Sequence, residues 1–180
     1  MRQEYGQSPD EFFDTVDDTD NVIGALPRSE IHRRQLKHRA IHIFWLRTDG
    51  KLALQRRSYA KDNSPGLLSS SCAGHVDSGE TYLIAAVREL AEELGVKVKP
   101  EQLQEIDYAP AHAHLGQEFV RSYLLQGEFS LCLHRPEVDS LVWRTPTELA
   151  RWVELQPALF ATAYIHLLGR AGIRKVLGLG

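Results

Sequence analysis

Residues 74–96 read GHVDSGETYLIAAVRELAEELGV, and the order of glycines and charges in this stretch decides how the rest of the chain is read. Gly74 opens it; Glu80, Arg88, Glu89, Leu90, Glu92, Glu93, Gly95 and Val96 follow. Ser78, Gly79, Glu80 and Thr81 predict a turn and then a helix start, with a capping residue and an acid in the first turn. Leu83, Val87, Leu90 and Leu94 recur at steps that line one face of a helix. Glu89, Glu92 and Glu93 are then expected on the other side, pointing away from the core. Gly95 stands where a left-handed helix stop takes glycine. Carboxylates at this spacing repel one another, by a few tenths of a kcal/mol per pair. A hard divalent cation relieves that repulsion, since Mg²⁺ or Mn²⁺ is held by a few carboxylates together with substrate phosphates. The plainer alternative is a solvated acidic helix face.

The spacing Gly74, Glu80, Arg88-Glu89-Leu90, Glu92-Glu93, Gly95-Val96 resembles the Nudix box at every defined position. That family cleaves nucleoside diphosphates linked to another moiety. The resemblance implies an α/β fold, a mixed β-sheet sandwiched between α-helices. It implies Mg²⁺ or Mn²⁺ held by Glu89, Glu92, Glu93 and the backbone carbonyl of Gly74. Glu89 and Glu93, four apart on a helix, face nearly the same way and are the firmer pair of ligands. Glu80 and Arg88 are expected to brace the loop and helix through a charge-assisted contact. A metal-activated water is the expected nucleophile, with a helix glutamate or Glu118 as the catalytic base. Glu118 lies on an expected strand and reads equally as a strand-edge surface charge; Glu105 and Glu137 read as solvated.

Composition sets the outer limits. The chain has 180 residues, which fits one domain over 1–180, with an N-terminal hairpin extension at about 11–36. A net charge of -3 and a pI near 6.2 give no general attraction to nucleic acid or anionic membrane. No apolar run is long enough to span a bilayer, and the N-terminus does not read as a signal peptide. Two cysteines are too few for a disulfide framework, which points to a cytoplasmic setting. The expected partner is a small nucleotide-type molecule, and the hairpin edge is a contact for a homodimer.

Along the chain, residues 1–11 read as a frayed lead-in. FFDTVD and VIGALP form a hairpin around Asp and Asn turn residues, and PRSEIHRRQLKH reads as helical. AIHIFWLR and KLALQRRS are strands around Thr48-Asp49-Gly50. LLSSSCAGH is a short strand leading into the box. Three further strands are expected in 101–145, then a helix capped by Thr145 before Pro146, then a last helix over QPALFATAYIHLLGRAGI. Arg56, Arg57 and Lys61 form a basic cluster suited to phosphate oxygens, against the reading of a solvated strand end. His75 directly follows the box glycine and joins that phosphate group, while His38 and His42 are weak signals singly. Tyr59, Tyr108, Phe119 and Trp143 read as core before they read as base-stacking groups.

The stretch 37–80 also resembles the Nudix branch that includes isopentenyl-diphosphate isomerase, in His38, Gln55-Arg56-Arg57, the Lys61 to Gly66 loop and Gly74-His75. Those isomerases hold a catalytic cysteine immediately before the Gly-His pair, where this chain has Ala73, with Cys72 one residue early. A one-residue shift on a strand turns the side chain to the other face. They also carry a Glu-x-Glu pair where this chain reads Gly116-Gln117-Glu118, and their box glutamates are degenerate. The departures favour hydrolysis over isomerisation, with Cys72 a buried small hydrophobe. A nucleotide-binding module without turnover is the third reading, disfavoured because all three box glutamates are present.

Overall fold

The computed structural model describes residues 11–179, so the lead-in expected to fray lies almost wholly outside the described residues. Strands β1 (Phe12–Val16) and β2 (Val22–Pro27) pair antiparallel as a ribbon. The Asp17 carboxylate makes the turn by accepting the Thr19 and Asn21 N–H groups at 2.8 and 2.9 Å. Helix α1 (Arg28–Arg34) follows and stops at Gln35 in the left-handed conformation.

The main sheet contains β3 (His38–Leu46), β4 (Leu52–Arg57), β5 (Leu68–Ser69), β6 (Cys72–His75), β7 (Leu103–His112), β8 (Glu118–Gln126) and β9 (Val138–Arg144). Its strand order is β5-β4-β3-β8-β7, with β6 on β3 and β9 on β4. β3 and β8 run parallel from His38 opposite Glu118 to Leu46 opposite Gln126, while the other pairings are antiparallel. The sheet is therefore mixed. Side-chain alternation along β3 sends Ile41, Ile43 and Trp45 to one face and Ala40 and Phe44 to the other. The first face is covered by α2 (Tyr82–Leu94). The second is covered by α3 (Pro146–Leu155), α4 (Thr162–Leu168) and α5 (Ala171–Leu177), with Tyr164 and Leu167 fully buried. The expected sandwich of a mixed sheet between helices is the observed fold. Among the described residues no helix is long and apolar enough to cross a membrane.

Two expected elements divide. LLSSSCAGH is not one strand: β5 pairs with β4, and β6 pairs with β3. Ser71 sits at the crossing, where its hydroxyl donates to Ala53 O at 2.7 Å and accepts the Trp45 N–H at 2.7 Å. A buried backbone that leaves one ladder for another needs such side-chain partners. The last helix is also broken. Pro157–Leu159 is a 3₁₀ turn, and Ala161 then donates to Leu68 O at 2.9 Å, which ties this stretch to β5 before α4 begins. A second break falls at Gly169-Arg170, where the Arg170 guanidinium is held by Asp107 and by Tyr108 O.

Candidate active site

The box folds as a loop, 75–80, and then α2. Thr81 caps the helix by accepting the Ile84 N–H at 3.3 Å, and Gly95 stops it at φ +67°. The expected acid in the first turn is not there: Glu80 precedes the cap and turns back to the loop, accepting the Asp77 N–H at 3.1 Å. Arg88 is the brace. Its guanidinium donates to Glu80 at 2.9 Å, to His75 O at 2.9 Å, to Glu89 at 2.7 Å and to Glu92 at 3.1 Å. One side chain thus joins the loop to the helix face that carries the carboxylates.

The three glutamates do not all point away from the core. Glu93 is fully buried, Glu89 nearly so, and Glu92 is the more open one. The face of α2 that packs on the sheet includes Ala85, Ala86, Leu90 and Leu94, and the small alanines let the helix lie close enough to bury the carboxylates beside them. Leu83 and Val87, expected in the apolar stripe, are only half-buried at its margin. Burial, and then the Glu93 charge, push the Glu89 carboxyl well above the usual carboxylate range. Glu93 is raised too, by burial, against the opposing pull of Lys61.

Glu93 Oε2 accepts from Gln55 Nε2 at 3.3 Å and from the Ala73 N–H at 3.4 Å, while Oε1 is buried without a hydrogen bond. Lys61 Nζ stands 3.7 Å from that oxygen and donates to Glu137 at 2.7 Å. Lys61 therefore faces carboxylates. Glu137, expected to be solvated, is also largely covered and makes a second contact with His134. Gly74 lies against Glu89 so closely that a Cβ there would overlap the carboxyl group. Two raised carboxylates, a buried carboxylate oxygen with no hydrogen bond and a glycine cradle are what a small cation would satisfy. The donor set fits Mg²⁺ or Mn²⁺.

Arg57 lies within electrostatic reach of Glu93, Glu118 and Glu137, and burial depresses its pKa. Arg56 does not join this group. It donates to Gly66 O at 2.9 Å, since alternation along β4 sends it to the face opposite Gln55. Phe119 is core, Trp143 packs edge-on against Trp45, Tyr59 is exposed, and Tyr108 stacks on Phe119.

A second polar group lies on the other face of β6. Cys72 and Gly74 face α2, whereas His75 turns the opposite way, with Nε2 3.2 Å from Glu118 Oε1. His38 Nε2 is 3.6 Å from the same oxygen, and the ligating nitrogens of His32, His38 and His75 lie within 4.8 Å of one another. His38 Nδ1 meets Leu36 O at 2.9 Å. Burial opposes the Glu118 charge, but the contacts from His38 and His75 outweigh it and hold the carboxyl well below its ordinary range. Burial brings His32 down to about 4. Phe13 stacks on His75 at 4.5 Å. Three imidazoles with one carboxylate suit a transition metal. Sequence reasoning missed His32 and undervalued His38, because the hairpin and α1 bring them together from separate segments. Cys72 is fully buried, and burial pushes its thiol well up.

A domain model described as the NUDIX domain matches residues 36–164. An uncharacterised Nudix hydrolase of Clostridium acetobutylicum is 34% identical over 167 residues, 87% of this chain and 81% of the relative. A protein named isopentenyl-diphosphate delta-isomerase 2, from Photorhabdus laumondii, is 31% identical over 164 residues, covering 88% of this chain and 91% of that one. A crystal structure from Deinococcus radiodurans superposes with a TM-score of 0.71 at 28% identity, over 81% of this chain and 90% of that one.

Proposed function

Because the chain belongs to the Nudix family and is a Nudix hydrolase, we propose that it hydrolyses the diphosphate linkage of a nucleoside diphosphate derivative, with Mg²⁺ or Mn²⁺ held by Glu89, Glu92, Glu93 and the Gly74 carbonyl. Nudix enzymes generally use divalent ions and act on small nucleotide-type molecules. The observation that carries the proposal is the buried Glu89 and Glu93 pair beside the Gly74 cradle, with Glu93 Oε1 making no hydrogen bond and only a 3.7 Å ion pair to Lys61. Burying two like charges side by side costs several kcal/mol, roughly, and carboxylates with raised pKa values cluster at functional sites.

When bound, the ion activates water and neutralises phosphate charge. Gln55 and the Ala73 N–H aim the Glu93 carboxylate. Arg88 holds Glu89 and fixes the loop through Glu80 and His75 O. Lys61 and Arg57 place positive charge near the carboxylates and are the proposed phosphate contacts, with His75. Glu92 and Glu93 are the proposed proton acceptors on the helix, with Glu118, held by His38 and His75, as the alternative from outside it. A cytoplasmic setting rests on the free cysteines Cys72 and Cys132.

Isomerisation of isopentenyl diphosphate is the second reading, favoured by the His38, His75 and Glu118 group and by the named relative. The buried Cys72, turned to the α2 face, argues against a thiol in that reaction. The deciding measurement is phosphate release from a panel of nucleoside diphosphate compounds with Mg²⁺ or Mn²⁺, beside an isomerisation assay. Metal-dependent release that falls at least about a hundredfold in Glu93→Gln is the expected result. Isomerisation without hydrolysis would overturn the proposal, as would full hydrolysis by the variant.

A further inference from the structure

We propose that His112, His114 and His166 form a separate transition-metal site, of the chemistry that takes Zn²⁺, on the face of the molecule covered by α4. His112 ends β7, His114 lies in the 3₁₀ turn Ala113–Leu115, and His166 comes from α4. Their ligating nitrogens lie within 4.8 Å of one another. The His112 and His166 rings stack at 4.6 Å, and His114 meets both edge-on at 4.9 and 5.7 Å. The histidines come from two distant segments, and the contact between α4 and the turn brings them together.

The chemistry of the donors selects the ion. Three neutral imidazoles carry no charge and offer only nitrogen, which suits Zn²⁺, Cu²⁺, Ni²⁺ or Co²⁺ and not Mg²⁺. Three histidines with solvent on the open side leave a coordination position for water. His112 and His114 are exposed and His166 half-buried, so an ion can reach them. The nearby Arg170 charge is offset by Asp107. The His114 N–H donates to His112 Nδ1 at 3.1 Å, a contact that a metal at His112 would exchange. A metal here clamps α4 to the turn just before Glu118. The next residues of that connection already touch the active site, because Gln117 O accepts the His38 N–H at 3.4 Å.

The test uses the full chain, freed of metal and kept in excess Mg²⁺ so that the carboxylate site is filled. Zn²⁺ is titrated against a chromogenic chelator, and Co²⁺ is followed by its visible absorption. Wild type is compared with His166→Ala and with the exposed pair His112→Ala/His114→Ala, each checked for fold by circular dichroism. The expected result is one equivalent fewer of tightly bound Zn²⁺ in both variants, and loss of the corresponding Co²⁺ band. The Zn²⁺-induced rise in melting temperature should shrink in parallel. The His32, His38 and His75 group is intact in all three proteins, so it cannot produce the difference. Equal stoichiometry and affinity across the three proteins would overturn the proposal, as would no Zn²⁺ binding by wild type.

Discussion

At the residue scale, Glu93 trades stability for chemistry. Its folded pKa lies above the unfolded value because the side chain is buried. Such a group favours folding only when protonated, and that contribution is lost as pH rises. At pH 7 the charge is therefore a cost. Glu93→Gln should leave the metal-free protein at least as stable, while removing the stabilisation of about 2–3 kcal/mol expected at saturating Mg²⁺. Thermal melts with and without Mg²⁺ measure both; a destabilised variant with an intact Mg²⁺ response would refute the assignment. His42 behaves differently. It is buried on Ser70 Oγ at 2.8 Å, and burial lowers it to about 4. With the unfolded value near 6.5, its stabilising effect is complete above that pH and is lost as pH falls toward 4. Urea unfolding at pH 7 and 4.5 should show wild type losing up to about 3 kcal/mol more than His42→Gln. Equal losses in the two proteins would remove His42 as the source.

At the element scale, the N-terminal hairpin supports the site. Asp14 accepts from Ser78 Oγ at 2.6 Å and from the Gly79 N–H at 3.2 Å, so β1 holds the box loop. Asp20, in the left-handed region at φ 65°, gathers Arg39 at 2.7 Å and the hydroxyls of Tyr82 and Tyr108 at 2.8 and 3.1 Å. Those three side chains come from β3, α2 and β7. Asp20→Ala strands all three and should cost about 1–3 kcal/mol. Hydrogen exchange should quicken through residues 12–27, and turnover should fall with it, since Phe13 and Asp14 would no longer steady His75 and the loop. Unchanged exchange in the hairpin would show that other contacts dock it. The hairpin's position was legible in the sequence from its Asp and Asn turn, but its task was not. Local residues announce a turn, whereas Ser78 and Gly79, the partners of Asp14, and Tyr82 and Tyr108, two of the partners of Asp20, lie more than sixty residues away.

At the scale of the whole molecule, one sheet carries two hydrophobic layers, and the hairpin stands at its side with β2 outermost. Val22 and Ile23 are 50% and 69% exposed on that edge strand. An exposed apolar edge invites pairing with another strand, so a homodimer through β2 is the expected assembly. Light scattering at high concentration should give twice the chain mass, and Ile23→Lys should halve it; a monomeric wild type sinks the idea. The same scale separates what sequence and tertiary structure each decided. The sequence alone determined the family, the box loop, the Gly95 limit of α2 and the strands around Thr48-Asp49-Gly50, because these are local: period, turn chemistry and a motif within one short stretch. Only the tertiary structure decided that Glu89 and Glu93 are buried, that Arg56 faces away while Lys61 faces carboxylates, and that His32, His38, His75 and Glu118 meet. The division of the 68–75 segment and of the last helix belongs with these. Burial and encounter depend on which face packs against what, and helical period places a residue on a face without saying what lies opposite.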